Sequence, residues 1–324
     1  MRDSAWYHVT RSVAFAGLGL VFLPQRFKKR KVIVFQNCRD FARKSAAIAD
    51  LLRRRDIPVE IRTGGSWLMR AEVRASADLW IGFWNEYPLD SLPRTFIFFN
   101  AEPLCVDRWG GDTPWMAAMR SASAVWDYSK AHEPRVSALG VPFRFVPFGY
   151  APHYEDVYRR HVGGKAIAQD IDVLFVGGLL ERRKSILERV KATGVRVHTV
   201  TRDNPAHGEK LDELLAASKI VLNVHAFDDP QAQIVDLARL DHLLANRVFV
   251  LHEALADAAV DAEFSRHVPT CAYDRIPEMC AHYAARPEER KRIADAAYEW
   301  FKAELDLDKI IPFDEIRNAI EELS

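Results

Sequence analysis

Gly177-Gly178 closes an apolar run, Val173-Leu174-Phe175-Val176, and Glu181-Arg182-Arg183-Lys184 follows within three residues. Glycine lets a backbone approach an oxygen-rich ligand closely, and amides at a helix N-terminus favour anions. Arginine adds paired donors that suit phosphate. Cations in a first helical turn oppose the helix dipole by about 0.3–1 kcal/mol each, so three in succession want a counter-charge. A bound diphosphate is one such charge; the alternative is a tight strand-to-helix turn with a solvated basic surface. Asn223 and His225 end a second apolar run that starts at Ile220. His225 is either a satisfied core histidine or a cleft residue, whose neutral imidazole can donate to a sugar hydroxyl. Asp236, Arg239 and Asp241 fall on a predicted helix, 234–244. Asp236 and Arg239 share a face and can pair there. Asp241 stands among Leu240, Leu243 and Leu244, where a carboxylate needs a partner or a ligand. A ribose diol would supply two donors.

The first half offers a different set. Asn37, Arg39, Trp84, Asn85, Glu86, Asn100 and Glu102 all fall at the ends of predicted strands. Glu102 and Glu86 are the candidates for a general base, which must sit near an attacking hydroxyl. A loop carboxylate is also a common cap or salt-bridge partner. Asn37, Arg39 and Asn100 are candidate contacts to whatever carries that hydroxyl. There is no Ser-His-Asp order, no nucleophile elbow and no Walker loop. Cys38, Cys105, Cys271 and Cys280 form no Cys-x-x-Cys, and no His/Cys cluster has zinc-ligand spacing. Free thiols in a reducing compartment are therefore expected, with no metal, no cofactor and no nucleic-acid partner.

Two sets of parallel strands are predicted to position these residues. The first comprises 31–36, 58–62, 79–83, 95–99, 125–128 and 143–148. The second comprises 172–176, 195–200, 220–224 and 248–251. Helices are expected at 41–55, 183–192, 209–218 and 234–244, with Asp40 capping the first. Strand and helix alternate, so each half should be a parallel sheet covered on both faces. The boundary is placed near 149–169, giving units 1–150 and 151–324. Beyond Ile276 the pattern is nearly all helical, broken near Arg286-Pro287 and Ile311-Pro312. The fold class is thus α/β: two Rossmann-like domains facing a central cleft, with a helical C-terminus. Ligands of open α/β sheets bind outside the carboxyl ends of the strands, so one cleft suggests two substrates.

The chain has 324 residues, 49% of them hydrophobic and 28% charged, as in a soluble globular protein. Net charge is zero, yet residues 1–150 carry 22 Lys+Arg against 14 Asp+Glu, a net +8. The remaining residues carry 23 against 31, a net −8. Either the surface simply varies, or the first half meets something anionic such as a phospholipid surface or a lipid-linked phosphate. Residues 12–23 are apolar and are followed by Arg26, Lys28, Lys29, Arg30 and Lys31. That run is too short to span a bilayer, and its charge lies on the wrong side for a secretory signal. It reads as a helix packed on the body, or as an apolar-plus-basic segment (12–31) that touches a membrane. The expected location is the cytoplasm, including the inner face of the membrane.

The sequence resembles the two-domain GT-B glycosyltransferases, nearest to bacterial group 1-like members and relatives of the CgeB proteins. The resemblance rests on Asp172-Val173-Leu174-Phe175-Val176-Gly177-Gly178-Leu179, Glu181-Arg182-Arg183, Ile220–His225 and Ala238–Asn246. Phe98–Glu102, Trp126–Ser129 and Val146–Tyr150 add to it. It implies a nucleotide-sugar donor in the second domain, a glycan or lipid-linked acceptor in the first, and metal-independent transfer. By position, Asp241 would bind the ribose, and Gly177, Gly178, Arg182, Arg183, Asn223, His225, Asp236 and Arg239 would complete the donor site. The sequence departs from the family's Glu-x7-Glu pair, with Gln233 and Asp241 in those places. Asn246 replaces the usual glycine and is expected to take a left-handed turn. A nucleotide-sugar epimerase of the same fold, or a non-catalytic binding protein, would also fit the sequence.

Overall fold

The computed structural model describes residues 30–64, 67–85, 87–104, 109–228, 237–255, 262 and 264–323. Most of the apolar-plus-basic segment, together with Glu86, Cys105, Gln233 and Asp236, lies outside the described residues. The first sheet has six parallel strands: β1 (Val32–Gln36), β2 (Val59–Thr63), β3 (Leu79–Phe83), β4 (Phe96–Asn100), β5 (Ala124–Asp127) and β6 (Phe143–Phe145). Their order is β2-β1-β3-β4-β5-β6. The second sheet contains β7 (Ile171–Val176), β8 (Val197–Val200), β9 (Ser218–Asn223), β10 (Val250–Glu253) and β11 (Thr270–Cys271). Its order is β11-β10-β9-β7-β8, again all parallel. Two Rossmann-like sheets with flanking helices were the expectation, and the structure has them. Each expected strand is present, with ends that move by up to three residues.

Alternation within single strands shows why both faces of each sheet are covered. Val32 and Val34 of β1 join one apolar cluster, while Ile33 and Phe35 join another on the opposite face. In β7, Leu174 faces the first of these clusters and Val173 and Phe175 face a third. Successive side chains of a strand point to opposite faces, so a run buried at every position demands a layer on each side. The cluster containing Val34 and Leu174 is continuous between the two sheets and includes helices from both halves. Helix α1 (Ala42–Arg54) contributes Ala47, Ile48, Leu51 and Leu52 to it. Its N-cap is Phe41, because a 3-10 turn, Arg39–Phe41, precedes it. Asp40 therefore lies within that turn rather than at the expected cap.

After α2 (Trp67–Ala75), α3 (Pro114–Arg120) and α4 (Glu133–Ser137), helix α5 (Pro152–Val162) leads from the first sheet to the second. The last helices, Pro287–Glu304, Leu307–Ile310 and Phe313–Glu322, then return to the first sheet. The amide of Tyr150 donates to the carbonyl of Leu305 (2.7 Å), and the amide of Leu307 donates to that of Tyr150 (2.9 Å). Arg144 meets Glu315 at 3.0 Å and Arg317 donates to the carbonyl of Arg55 at 2.8 Å. Gly149 permits this crossing: a Cβ there would stand 2.1 Å from the carbonyl oxygen of Leu305. After helix α8 (Leu237–Ala245), the left-handed residue is Arg247, with φ 53°, and not Asn246. Asn246 instead donates its amide to the carbonyls of His242 (2.7 Å) and Tyr154 (3.3 Å). Arg247 is compensated by stacking 3.5 Å over the ring of Tyr298.

Candidate active site between the two sheets

Strand order reverses next to β1 and β3 in the first sheet, and next to β7 and β9 in the second. At such switch points adjacent loops diverge and leave a crevice outside the carboxyl ends of the strands. The residues just past those four strands are Asn37–Arg39, Trp84–Asn85, Gly177–Gly178 and Val224–His225. Most of them line two cavities between the sheets. The first, about 610 Å³, has Trp84, Asn85, Tyr87, Glu102, Trp109 and Trp115 on one wall and Arg183, Arg202, Asn223, His225, Phe227 and Arg239 on the other. The second, about 620 Å³, is lined by Arg39, Arg43, Lys44, Glu102, Gly177, Gly178, Gly208, Asn223 and Arg239, among others. Phe41, Ala101, Glu102, Asn223 and Arg239 belong to both, so the cavities meet there.

On the first-sheet side, Glu102 follows β4 and borders both cavities. Its carboxylate accepts from the Nδ2 of Asn85, and its amide donates to the Oδ1 of Asn100 at 3.2 Å. Asn100 was expected to touch a substrate. It is fully buried instead, donating to the Glu102 carbonyl (2.9 Å) and to Asp127 (2.8 Å), and accepting from the indole of Trp115 (3.2 Å). A buried carboxamide must satisfy both its donors and acceptors, and this one does so by fixing the loop that carries Glu102. Arg39 is exposed and reaches the second cavity. Asn37 lies at the end of β1, outside either lining.

On the second-sheet side, Gly177 has φ 148°, a conformation that side-chain-bearing residues rarely adopt, and its amide donates to the carbonyl of Val200 (2.9 Å). Gly178 is exposed to the second cavity. The arginines of helix α6 (Glu181–Ala192) depart from the expected diphosphate role. Arg182 pairs with buried Glu253 and with Asp228 at 2.5 Å, and its guanidinium stacks 4.1 Å from the ring of Tyr273. It lines neither cavity. Glu253, at the end of β10, is the counter-charge that this first turn required. Arg183 borders the first cavity, but its guanidinium donates to the carbonyls of Val224 (2.8 Å) and Gly178 (3.2 Å). It ties the ends of β7 and β9 together. Arg239 reaches both cavities and stands beside Gly177, with Nη1 3.5 Å from where a Cβ on that glycine would lie.

Asp241 also departs from expectation. It is fully buried on α8 and borders neither cavity. Lys44 of α1 lies 3.2 Å away, the hydroxyl of Tyr154 donates at 3.1 Å, and the amide of His242 donates at 2.7 Å. Burial pushes its carboxyl up, but Lys44 and His242 outweigh that and hold it below the ordinary value. The partner that an acid among leucines needs is thus a lysine from a helix of the first half. His225 lines the first cavity, donates its amide to Glu253 (3.0 Å), and has its imidazole driven towards neutrality by burial. Its Nε2 is buried without a hydrogen-bond partner among the described residues.

The sequence reading missed Lys44, Glu253 and the aromatic wall of the first cavity. The aromatic residues between Trp80 and Tyr128 were a visible signal, but strand cores absorb aromatics equally well. Lys44 carried no signal, since one lysine on an amphipathic helix is ordinary. Among the described residues no group of His, Cys, Asp or Glu is arranged to hold a metal ion. Cys271 and Cys280 are free thiols, and no described helix is long and apolar enough to cross a membrane.

Two parallel Rossmann-like sheets, facing across a cleft with the final helices returning to the first, define the GT-B architecture of glycosyltransferases. WaaG and HepE are two of the solved structures that share it. WaaG, a glycosyltransferase involved in lipopolysaccharide biosynthesis, superposes with a TM-score of 0.53 and 16% identity over 90% of this chain and 99% of its own. HepE from Anabaena, solved with UDP-glucose, gives 0.53 and 14% over 90% and 99%. No family model matches the sequence. An uncharacterised protein, L140 of Acanthamoeba polyphaga mimivirus, is 25% identical over 139 residues, which is 43% of this chain. That match spans 44% of the viral protein's length.

Proposed function

We propose that this protein transfers a sugar from a nucleotide diphosphate donor to an acceptor hydroxyl. The observation that carries the reading is the meeting of two cavities at Glu102, Asn223 and Arg239, at the switch points of both sheets. The second cavity suits the nucleotide diphosphate. Arg39 and Arg239 border it beside the Gly177-Gly178 turn, while the neighbouring charges of Arg43 and Lys44 are met by Asp212 and Asp241. The acceptor oxygen would form a bond to the anomeric carbon as the bond from that carbon to the diphosphate breaks. Glu102 would take the hydroxyl proton, and Arg239 would stabilise the charge gathering on the departing phosphate. Solved relatives of the fold, one holding UDP-glucose, support this assignment of donor. The first cavity, with its own polar and aromatic wall, gives room for a separate acceptor, which an epimerase does not need.

Arg239→Ala should weaken binding of a nucleoside diphosphate about 10- to 100-fold, the usual worth of a charge-assisted hydrogen bond. Isothermal titration calorimetry with UDP, GDP, CDP and dTDP tests it. Absence of binding by all four to the unaltered protein would overturn the reading. The net +8 of residues 1–150 supports contact between this part of the chain and an anionic membrane surface in the cytoplasm. Flotation with anionic against neutral liposomes, at low and high salt, measures that contact.

A further inference from the structure

The wall that the first sheet gives to the first cavity is unlike the opposite wall. Its described residues include the half-buried rings of Phe41 and Trp109, backed by the buried rings of Trp84, Tyr87, Trp115 and Tyr128, and the one charged group among them is Glu102. The described cations of this cavity, Arg183, Arg202 and Arg239, all come from the second half of the chain. Asn85 adds a second observation. It is 6% exposed, its Nδ2 is spent on the Glu102 carboxylate, and its Oδ1 accepts from no donor among the described residues. A buried carbonyl without a donor is costly unless a ligand supplies one.

We propose that the acceptor seated here is an uncharged sugar ring that lays its apolar C–H face on the aromatic wall at Trp109 and presents hydroxyls to Glu102 and the Oδ1 of Asn85. The inference rests on the sugar-transfer reading and specifies the class of its second substrate. A sugar ring has an apolar face and a rim of donors, which matches aromatic faces beside two acceptors. Tyr and Trp bury large area at little entropic cost and keep a polar edge. The described residues of that wall supply no cation to receive a phosphate or a carboxylate, and the Glu102 carboxylate would repel either. A purely apolar acceptor would leave the Asn85 carbonyl without a donor.

The test uses the full chain and a panel of neutral methyl glycosides and unsubstituted disaccharides, each paired with its sugar phosphate. Saturation-transfer NMR and tryptophan fluorescence read binding, and calorimetry with UDP, GDP, CDP and dTDP runs on the same samples. The expected result is millimolar binding of at least one neutral sugar, with saturation strongest at ring C–H protons. Trp109→Ala should weaken that binding about tenfold, and Asn85→Asp should weaken it through a second charge beside Glu102, while nucleotide affinity is retained. Tighter binding of sugar phosphates than of their neutral partners, or silence from every neutral sugar, overturns the proposal. Loss of nucleotide binding alone would instead strike the transfer reading. Trp109→Phe, which keeps a ring, should retain most of the affinity and so separates stacking from misfolding.

Discussion

Glu102 is held by amides on both sides: the side chain of Asn85 engages its carboxylate, and that of Asn100 engages its backbone. A glutamine in its place keeps the shape and a hydrogen-bonding oxygen but cannot accept the acceptor's proton. Glu102→Gln should therefore lower kcat by about 10²–10⁴-fold and leave nucleotide affinity unchanged, measured by product formation alongside calorimetry. A kcat within the error of the unaltered protein would remove Glu102 as the base. The basic turn Arg182-Arg183-Lys184 carries the opposite lesson. Its charges were legible in the sequence, but not their partners. Arg182 is neutralised by Glu253, 71 residues away, and Arg183 is spent on backbone carbonyls. Arg239, read equally as a surface pairing residue, is the one that reaches both cavities.

Between elements, the two lobes are pinned by charges that no local pattern announces. Lys44 on α1 reaches Asp241 on α8, and Arg43 reaches Asp212 (2.8 Å) on the helix α7, Gly208–Ala216. Both carboxylates are wholly buried. Removing one partner of a buried pair leaves an uncompensated charge and typically costs about 3–5 kcal/mol. Lys44→Met should destabilise the protein by roughly that amount, and Lys44→Met with Asp241→Asn by clearly less, as read from urea denaturation. The sign with pH follows from the carboxyl of Asp241 being held below its ordinary 3.8. Its contribution is fully present above that value and is lost as pH falls below it, because the unfolded chain then binds the proton first. Asp241→Asn should flatten the acid limb of stability against pH. An unchanged acid limb would mean that Asp241 is not ionised in the folded protein.

Over the whole molecule, the chain crosses between lobes twice, through α5 and again through 305–307. The second crossing depends on Gly149, whose missing side chain lets the carbonyl of Leu305 sit against it. Gly149→Ala should push the last helices off the first sheet and lower Tm by several degrees. Hydrogen exchange should then rise at Tyr150 and Leu307, whose amides make the crossing. Unaltered exchange at both amides would show that the crossing tolerates a methyl group. The final helices thus follow the second sheet in sequence and contact residues of the first half.

The sequence by itself determined the strands, their parallel arrangement and the helical end, because each is written in a local period. The strand Val32–Gln36 is apolar at its first four positions and buried at all five, and Pro287 and Pro312 mark breaks that any fold must respect. It also placed Glu102, Gly177, Gly178, Asn223, His225 and Arg239 at strand ends or on the helix beyond, where the structure brings them to the cavities. Tertiary structure alone decided which charges would be spent. Lys44 with Asp241 and Arg182 with Glu253 join residues 197 and 71 positions apart. Burial, not spacing, makes such pairing obligatory, since a charge withdrawn from water takes the nearest opposite charge that the packing offers.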